Sequence, residues 1–249
     1  MNLIQRFTVL ILVLQLMTAC NNDSSLECFK AAGDTVHYDM AVADFTTIHI
    51  SMGIELVIKE GTEQRVTIQT GENLKEYITT KVVDGVLFVT NNNNCNWTRD
   101  YNNTTVYVTT PHLEKIYSAS QFAVKSDGLL TFPSLALESG LYSETASGEF
   151  ELNINAETLV VQDDQFTYYK ITGSVTNLFV KFYNGDSRFE GNELIAQKVE
   201  VFQRSSNDII INPQLEVKGT IYSTGNLVLK NQPPVIEVEQ MYSGHIVYN

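Results

Sequence analysis

The sequence has few features of a helical protein or of a motif-defined enzyme. Only ENLKEYIT, residues 72–79, shows helical spacing, with Leu74 and Ile78 four positions apart. The four histidines lack the spacing of metal ligands, and no GxSxG elbow places a nucleophile. We therefore expect at most one short helix or turn, and a chain with no catalytic residue, no metal and no cofactor.

Positive charge is scarce. The chain has 16 Lys and Arg residues against 29 Asp and Glu residues, which gives a formal net charge of −13 at pH 7. A basic patch is what draws a protein to phosphate-rich surfaces. The composition therefore disfavours nucleic acid and anionic lipid surfaces as partners.

Long apolar runs are confined to the first twenty residues. Arg6 precedes FTVLILVLQLM, which is too short to span a bilayer, and Thr18 and Ala19 lead into Cys20. This arrangement resembles a bacterial lipoprotein signal, although Met17 stands where leucine is more usual. We expect residues 1–19 to be a signal peptide, Cys20 to carry lipid, and residues 20–40 to be a tether that begins with NNDSS.

Cysteine is rare, with three in the chain. If Cys20 is lipidated, Cys28 and Cys95 remain as a pair in an oxidising compartment. A disulfide between them and two free thiols are both compatible with the sequence, because bridging depends on a Cβ approach that spacing does not reveal.

Short strand patterns fill residues 41–112. Apolar and polar residues alternate in TTIHI and RVTI, as in a sheet with one buried face. Asp84-Gly85, between KVV and VLFV, is typical of a two-residue type I′ hairpin. This part predicts an antiparallel or half-covered sheet.

A repeat begins at Leu113 and continues to residue 249. Apolar-x-apolar pairs recur at intervals of 18–24 residues, and a second short strand follows each pair after a Gly, Ser or Asn turn. The expected coil starts are Leu113, Leu135, Leu159, Leu178, Val199, Val217 and Ile236. Units of this length must stack to bury their apolar faces. We predict an all-β fold, a right-handed parallel β-helix or β-solenoid of about 20-residue coils, continuous with the preceding strands in one domain over 41–249.

Aromatic residues recur about once in each coil. The candidate stacking residues are Tyr117, Tyr142, Tyr183, Phe202, Tyr222 and Tyr242, with Tyr168 or Tyr169 also in the series. If the rings share one lateral position, they form either a ladder that stabilises the repeat or an exposed stripe on which sugar rings stack. The sequence does not say which way the rings point.

Acidic residues recur at the predicted turns, and Asp163-Asp164 is the one adjacent pair among them. Oxygen ligands at a turn are what Ca²⁺ requires, and a carboxylate pair is what a glycosidase requires. Adjacent residues on a strand face opposite sides, so this pair could not jointly flank a substrate bond. Solvated charge that keeps an acidic protein soluble is the preferred interpretation.

Two segments resemble the auto-transporter adhesin family with a head GIN domain. They are FTTIHISMGIELVIKEG, residues 45–61, and TTVYVTTPHLEKIYSAS, residues 104–120, with the Asp84-Gly85 hairpin between them. The resemblance covers nearly the whole mature chain and implies a β-solenoid. The Ser-Gly turns of that family are often replaced here, as by YSAS, and no catalytic residue transfers.

These observations together predict a lipid-anchored protein of the cell envelope that binds a glycan or a neighbouring surface protein without catalysis. Asn21 after Cys20 favours the outer membrane over inner-membrane retention. A β-helical polysaccharide lyase or hydrolase and a purely structural envelope component are the alternatives. The sequence leaves the oligomeric state open.

Overall fold

The structure, a computed structural model, describes residues 30–93, 104–142 and 147–249. Nearly every regular element in these ranges is a β-strand, and the exception is a 3₁₀ helix at Glu72–Tyr77, where the short helix was predicted. The strands are β1 (Thr35–Met40), β2 (Thr47–Ile50), β3 (Glu55–Glu60), β4 (Arg65–Gly71), β5 (Ile78–Val83), β6 (Val86–Asn91), β7 (Thr105–Thr110), β8 (Lys115–Ser118), β9 (Ala123–Leu130), β10 (Ser134–Ser139), β11 (Glu149–Asp163), β12 (Tyr168–Phe182), β13 (Arg188–Gln203), β14 (Ile209–Ile221), β15 (Leu227–Leu229), β16 (Val235–Gln240) and β17 (Ile246–Tyr248). None of the described helices is long and apolar enough to cross a bilayer.

The strands form a β-solenoid with two stacks, joined where β11 to β14 pass from one stack into the other. The first stack contains β5, β6, β2, β8, β10, the C-terminal halves of β11 to β14, and β16. The second stack contains β1, β4, β7, β3, β9, the N-terminal halves of β11 to β14, β15 and β17. Apart from four strands near the N-terminus, neighbours run parallel, so each coil lies directly on the previous one.

The predicted coil starts from Leu135 onward are confirmed as one row of the first stack. Leu135, Leu159, Leu178, Val199, Val217 and Ile236 are successive register partners. All of them face the core, and the first five are at most 3% exposed. Leu113 is the exception, because β8 pairs Lys115 with Ala136, which leaves Leu113 one position out of the row. It is buried just before the strand begins.

Residues 41–112 are continuous with the solenoid, but their strand directions differ from the prediction. β2 pairs in parallel with both β6 and β8, and β3 pairs in parallel with both β7 and β9. The coil made by β2 and β3 therefore lies between a later coil (β6 and β7) and the coil that follows (β8 and β9). Alternation reveals which face of a strand is buried and carries no information on direction, so the antiparallel prediction was wrong for these strands.

Antiparallel strands close the N-terminal end of the solenoid. β5 pairs with β6 through the Asp84-Gly85 turn, whose two residues have φ angles of 50° and 75°, as the predicted type I′ hairpin requires. β4 pairs with β7, and β1 pairs with β4. Strand β1 lies inside the stretch 20–40 that was assigned to the tether. That boundary was wrong because Val36, Tyr38 and Met40 alternate with exposed residues and cover one side of the sheet.

The interior contains a short aromatic ladder and a buried polar corner. The rings of Phe150 and Tyr169 stack at 4.9 Å, and those of Tyr169 and Phe182 at 5.9 Å. Next to them the carboxylate of Asp163, fully buried, accepts hydrogen bonds from the hydroxyls of Tyr169 and Ser187 and from the backbone N–H of Gln165. The interpretation of Asp163 as solvated charge was therefore wrong, since its turn folds into the coil. Asp164, which follows it, faces outward and is half-buried.

Candidate functional site

The candidate site is the outer face of the first stack, where side chains form two columns. Strands stacked in register place their outward side chains in line, one step of about 4.8 Å for each strand. Column one contains Phe88, His49, Tyr117, Glu138, Gln162, Lys181, Phe202, Thr220 and Glu239. Column two, two residues further along the chain, contains Asp164, Tyr183, Arg204, Tyr222 and Met241.

The first aromatic group lies at the N-terminal part of column one. The His49 ring contacts Phe88 at 5.2 Å and Tyr117 at 4.3 Å, and Tyr142 covers Tyr117 at 5.2 Å. The backbone N–H of Tyr142 donates to the Tyr117 hydroxyl at 3.2 Å. Tyr117 is only 3% exposed, whereas Tyr142 is 74% exposed. Burial lowers the pKa of His49, so this ladder is neutral at pH 7. Tyr117 is thus a structural ring, and Tyr142 is the accessible one.

The second aromatic group is a zigzag across the two columns. Tyr183 and Tyr222 belong to column two and Phe202 to column one, so intervals of 19 and 20 residues do not keep one lateral position. The Phe202 ring still contacts both neighbours, at 5.7 Å to Tyr183 and 5.2 Å to Tyr222, with interplanar angles of 46° and 47°. Tyr242 lies one residue beyond the row of Tyr222 and Met241. The prediction of a shared position was therefore wrong, but the rings of the zigzag do touch.

Exposure along the zigzag rises toward the C-terminal end. Tyr183 and Phe202 are half-buried, while Tyr222 is 44% and Tyr242 is 66% exposed. The Tyr183 hydroxyl donates to Oε1 of Gln162 at 2.8 Å, and the pKa of Tyr183 is raised by burial and by the charge of Glu138. Tyr183 therefore stabilises the face, and Tyr222 and Tyr242 offer ring surface to a ligand. We find both sequence-based interpretations of the aromatic series in different members of it.

Arg204 lies in column two between Tyr183 and Tyr222 and is exposed. Among the described residues its guanidinium forms no ion pair and no side-chain hydrogen bond. A guanidinium presents five N–H donors in a fixed plane. The face therefore combines ring surfaces with a free planar donor one strand away on either side.

A polar stretch separates the two aromatic groups. Glu138 is 5% exposed, and its carboxylate lies 2.7 Å from Nζ of Lys115. Gln162 is occupied by Tyr183. The six predicted stacking residues consequently form two patches: Tyr117 with Tyr142, and Tyr183 with Phe202, Tyr222 and the nearby Tyr242.

The outer face of the second stack carries an ionic network. The Tyr168 hydroxyl donates to Glu190 at 2.5 Å, and burial with this bond raises the pKa of Tyr168 to about 12. Arg188 donates to Glu190 at 2.9 Å and to Asn207 at 3.0 Å. Burial and the neighbouring charge of Glu151 raise the pKa of Glu149. A raised carboxyl pKa is a property of a general acid, but the neighbouring basic groups are engaged in ion pairs.

Several predicted features fall outside the described residues. They are the lipidation site Cys20, the possible disulfide partners Cys28 and Cys95, and the signal peptide over 1–19. Within the described ranges, no group of three or more His, Cys, Asp or Glu side chains has the arrangement of a metal site.

Sequence reasoning missed Arg204, Phe88 and His49 as members of this face. His49 alternates with buried Ile48 and Ile50, which does place it outward, but its ring neighbours come from strands that are distant in the chain. Arg204 sits in a polar run, QRSSND, that is typical of a turn. Two-residue spacing from Phe202 is the one local signal that puts Arg204 on the same side.

Comparison with solved structures supports the fold. A putative adhesin from Bacteroides fragilis aligns with a TM-score of 0.79 at 19% identity, over 88% of this chain and 100% of its own. A putative lipid binding protein from Parabacteroides distasonis aligns with a TM-score of 0.64 at 15% identity, over 88% and 100%. A putative adhesin from Parabacteroides merdae aligns with a TM-score of 0.57 at 16% identity, over 86% and 97%.

A search of curated proteins found no match. The sequence profile of one family, described as "putative auto-transporter adhesin, head GIN domain", matches residues 44–233, which is most of the chain. That match spans both stacks, the inverted N-terminal coils and the two-column face. The chain therefore belongs to the head GIN domain family of putative auto-transporter adhesins.

Proposed function

We propose that this protein is a lipid-anchored component of the cell envelope that binds an extended glycan along the outer face of the first stack, without catalysis. The observation that carries the proposal is the zigzag of Tyr183, Phe202 and Tyr222 around the free guanidinium of Arg204. Sugar rings stack their C–H faces on aromatic rings while their hydroxyl oxygens accept hydrogen bonds from planar donors.

The rigid scaffold favours such binding. The zigzag residues are held by parallel strands in register, so little conformational freedom is lost when a ligand binds. Exposed rings with few rotatable bonds give contact area at a low entropic cost. An extended ligand lying along the column direction would meet a new group about every 4.8 Å.

The family and its solved relatives support an envelope role. Relatives with this fold are described as adhesins, and the N-terminal sequence around Cys20 resembles a lipoprotein signal. Lipid at Cys20 would hold the domain at a membrane while the solenoid faces outward from it. Asn21 favours the outer membrane for that position.

The test is a glycan-array screen of the chain from residue 26 onward, followed by titration of any ligand found. Tyr222→Ala and Arg204→Ala should each weaken binding by roughly tenfold or more, since one base-type or ring stacking contact is worth about 1–3 kcal/mol. Tyr107→Ala is the matched control, because Tyr107 is an exposed tyrosine (38%) on the second stack.

Two results would contradict the proposal. One is an array on which the folded wild-type chain retains no glycan. The other is a Tyr222→Ala variant that binds as tightly as the Tyr107→Ala control. Unchanged thermal unfolding of Tyr222→Ala is required for either comparison, and the 44% exposure of Tyr222 leads us to expect it.

A further inference from the structure

The solenoid has an open strand edge at each end of the first stack. At the C-terminal end β16 pairs with β14, and at the N-terminal end β5 pairs with β6. Neither has a second partner strand among the described residues. An unpaired edge presents a row of backbone N–H and C=O groups that can pair with another strand.

The C-terminal edge also leaves apolar surface uncovered. Ile236 and Val238 face the core but are half-exposed, whereas Val217, the register partner of Ile236, is fully buried. Exposed apolar side chains surround this end: Met241, Tyr242, Val247 and Tyr248. Adding one more strand would cover Ile236 and Val238 on their open side.

The two edges match each other in length and in pattern. Each strand has six residues, and an antiparallel pairing keeps the core-facing and outward-facing residues of both strands on their own sides. In that register Val235 to Gln240 of one copy lie opposite Val83 to Ile78 of the next. Ile236 then meets Val82, and Val238 meets Thr80, on the core side.

The charges match in the same register. Glu237 of one copy lies directly opposite Lys81 of the next, and both side chains are exposed in the single chain. Pairing of two β16 strands with each other would instead place Glu237 opposite Glu237 or Glu239. Opposite charges on directly facing residues stabilise a strand pair and like charges destabilise it, so the head-to-tail contact is favoured over the symmetric one.

We propose that a second copy of this chain docks head to tail, with β5 of one copy extending the first stack beyond β16 of the other. Each copy keeps a free edge at its far end, so the contact is heterologous and generates chains of molecules. The second stack has two strands, β4 and β1, beyond β7 where the first stack has only β5 beyond β6. Successive copies therefore pack with a tilt.

Disulfide trapping tests this register in the full chain purified in detergent. Val83→Cys and Val235→Cys place thiols on facing outward positions, whose Cβ atoms are within disulfide reach in an antiparallel pair. The double variant should give a ladder of oligomers on non-reducing gels after mild oxidation. A mixture of the two single variants should give dimers, and each single variant alone should give none beyond the wild-type background from its native cysteines.

Charge exchange supplies the matched control. In the double-cysteine background, Glu237→Lys should reduce cross-linking by roughly five- to tenfold, and adding Lys81→Glu should restore it. Absence of a cross-link in the mixture of single variants would overturn the proposal. Cross-linking of Val235→Cys with itself at the level of the mixture would also overturn it, because it would show the symmetric contact.

Discussion

The hydroxyl of Tyr169 donates a 2.8 Å hydrogen bond to the carboxylate of Asp163, and both side chains are fully buried within one coil. The Tyr169 ring is at the same time the middle member of the internal aromatic ladder. The pair therefore links the polar corner of the solenoid to its apolar core, and each partner depends on the other to satisfy a buried polar group.

Replacement of Asp163 should show this dependence. Asp163→Ala leaves the hydroxyls of Tyr169 and Ser187 without an acceptor, and we expect a loss of about 2–4 kcal/mol in the free energy of unfolding. Asp163→Asn keeps an acceptor oxygen and should cost clearly less. Urea unfolding followed by circular dichroism measures both, and equal losses in the two variants would contradict the hydrogen-bond argument.

The same residue predicts a pH dependence. Burial raises the pKa of Asp163 above its ordinary value, so protonation is easier in the folded than in the unfolded chain. Its contribution to stability should grow as the pH falls through the raised folded pKa, and should level off below the ordinary value near 3.8. The wild-type minus Asp163→Asn difference in unfolding free energy, measured from pH 7 downward, isolates this contribution. A difference that moves the opposite way would refute the assignment.

Gly185 should not tolerate a side chain. It has a φ of 75°, and a Cβ there would overlap the carbonyl oxygen of Gln165 on the neighbouring coil. Gly128 is a matched control, because its φ is 94° but a Cβ would meet nothing within 4 Å. Gly128→Ala should cost about 1–2 kcal/mol from backbone strain alone, and Gly185→Ala distinctly more. Equal melting temperatures for the two variants would show that the coils do not pack this closely.

Lipid anchoring at Cys20 predicts a change of partition. The wild-type chain, expressed with its N-terminal segment, should enter the detergent phase of a Triton X-114 extraction. Cys20→Ser should stay in the aqueous phase after export, since a removed signal and no acyl chain leave nothing to hold it. Detergent-phase recovery of Cys20→Ser equal to wild type would argue against the anchor. Cys28→Ser controls for the loss of a cysteine as such.

The sequence predicted those parts of the fold in which neighbouring strands are also neighbours in the chain. Val199, Val217 and Ile236 come at nearly even intervals, so the pattern carried their register. The Asp84-Gly85 turn was equally local. The position of β2 was not accessible, because its partners β6 and β8 lie far along the chain and all three show the same alternation. Composition likewise extended the tether over β1, whose half-buried residues have their partners in β4.

The site was predicted only in outline. The positions of the aromatic residues were found, but exposure depends on what the turns bring over them, as Tyr142 does over Tyr117. The importance of Arg204 arises from Tyr183 and Tyr222 on the adjacent coils. A side chain defined by neighbours about 20 residues away on both sides leaves no mark in its own segment.

The inverted order of the N-terminal coils has a consequence for how the chain reaches its native state. The coil of β2 and β3 is made first, but one of its faces is completed only by β6 and β7 and the other by β8 and β9. Folding cannot spread coil by coil from the amino end, as it can in a regular repeat array. We expect residues up to about Leu130 to become protected from hydrogen exchange together, as one cooperative block of long-range contacts. The later coils would then add to a foundation that was laid in a different order from the one in which it was synthesised.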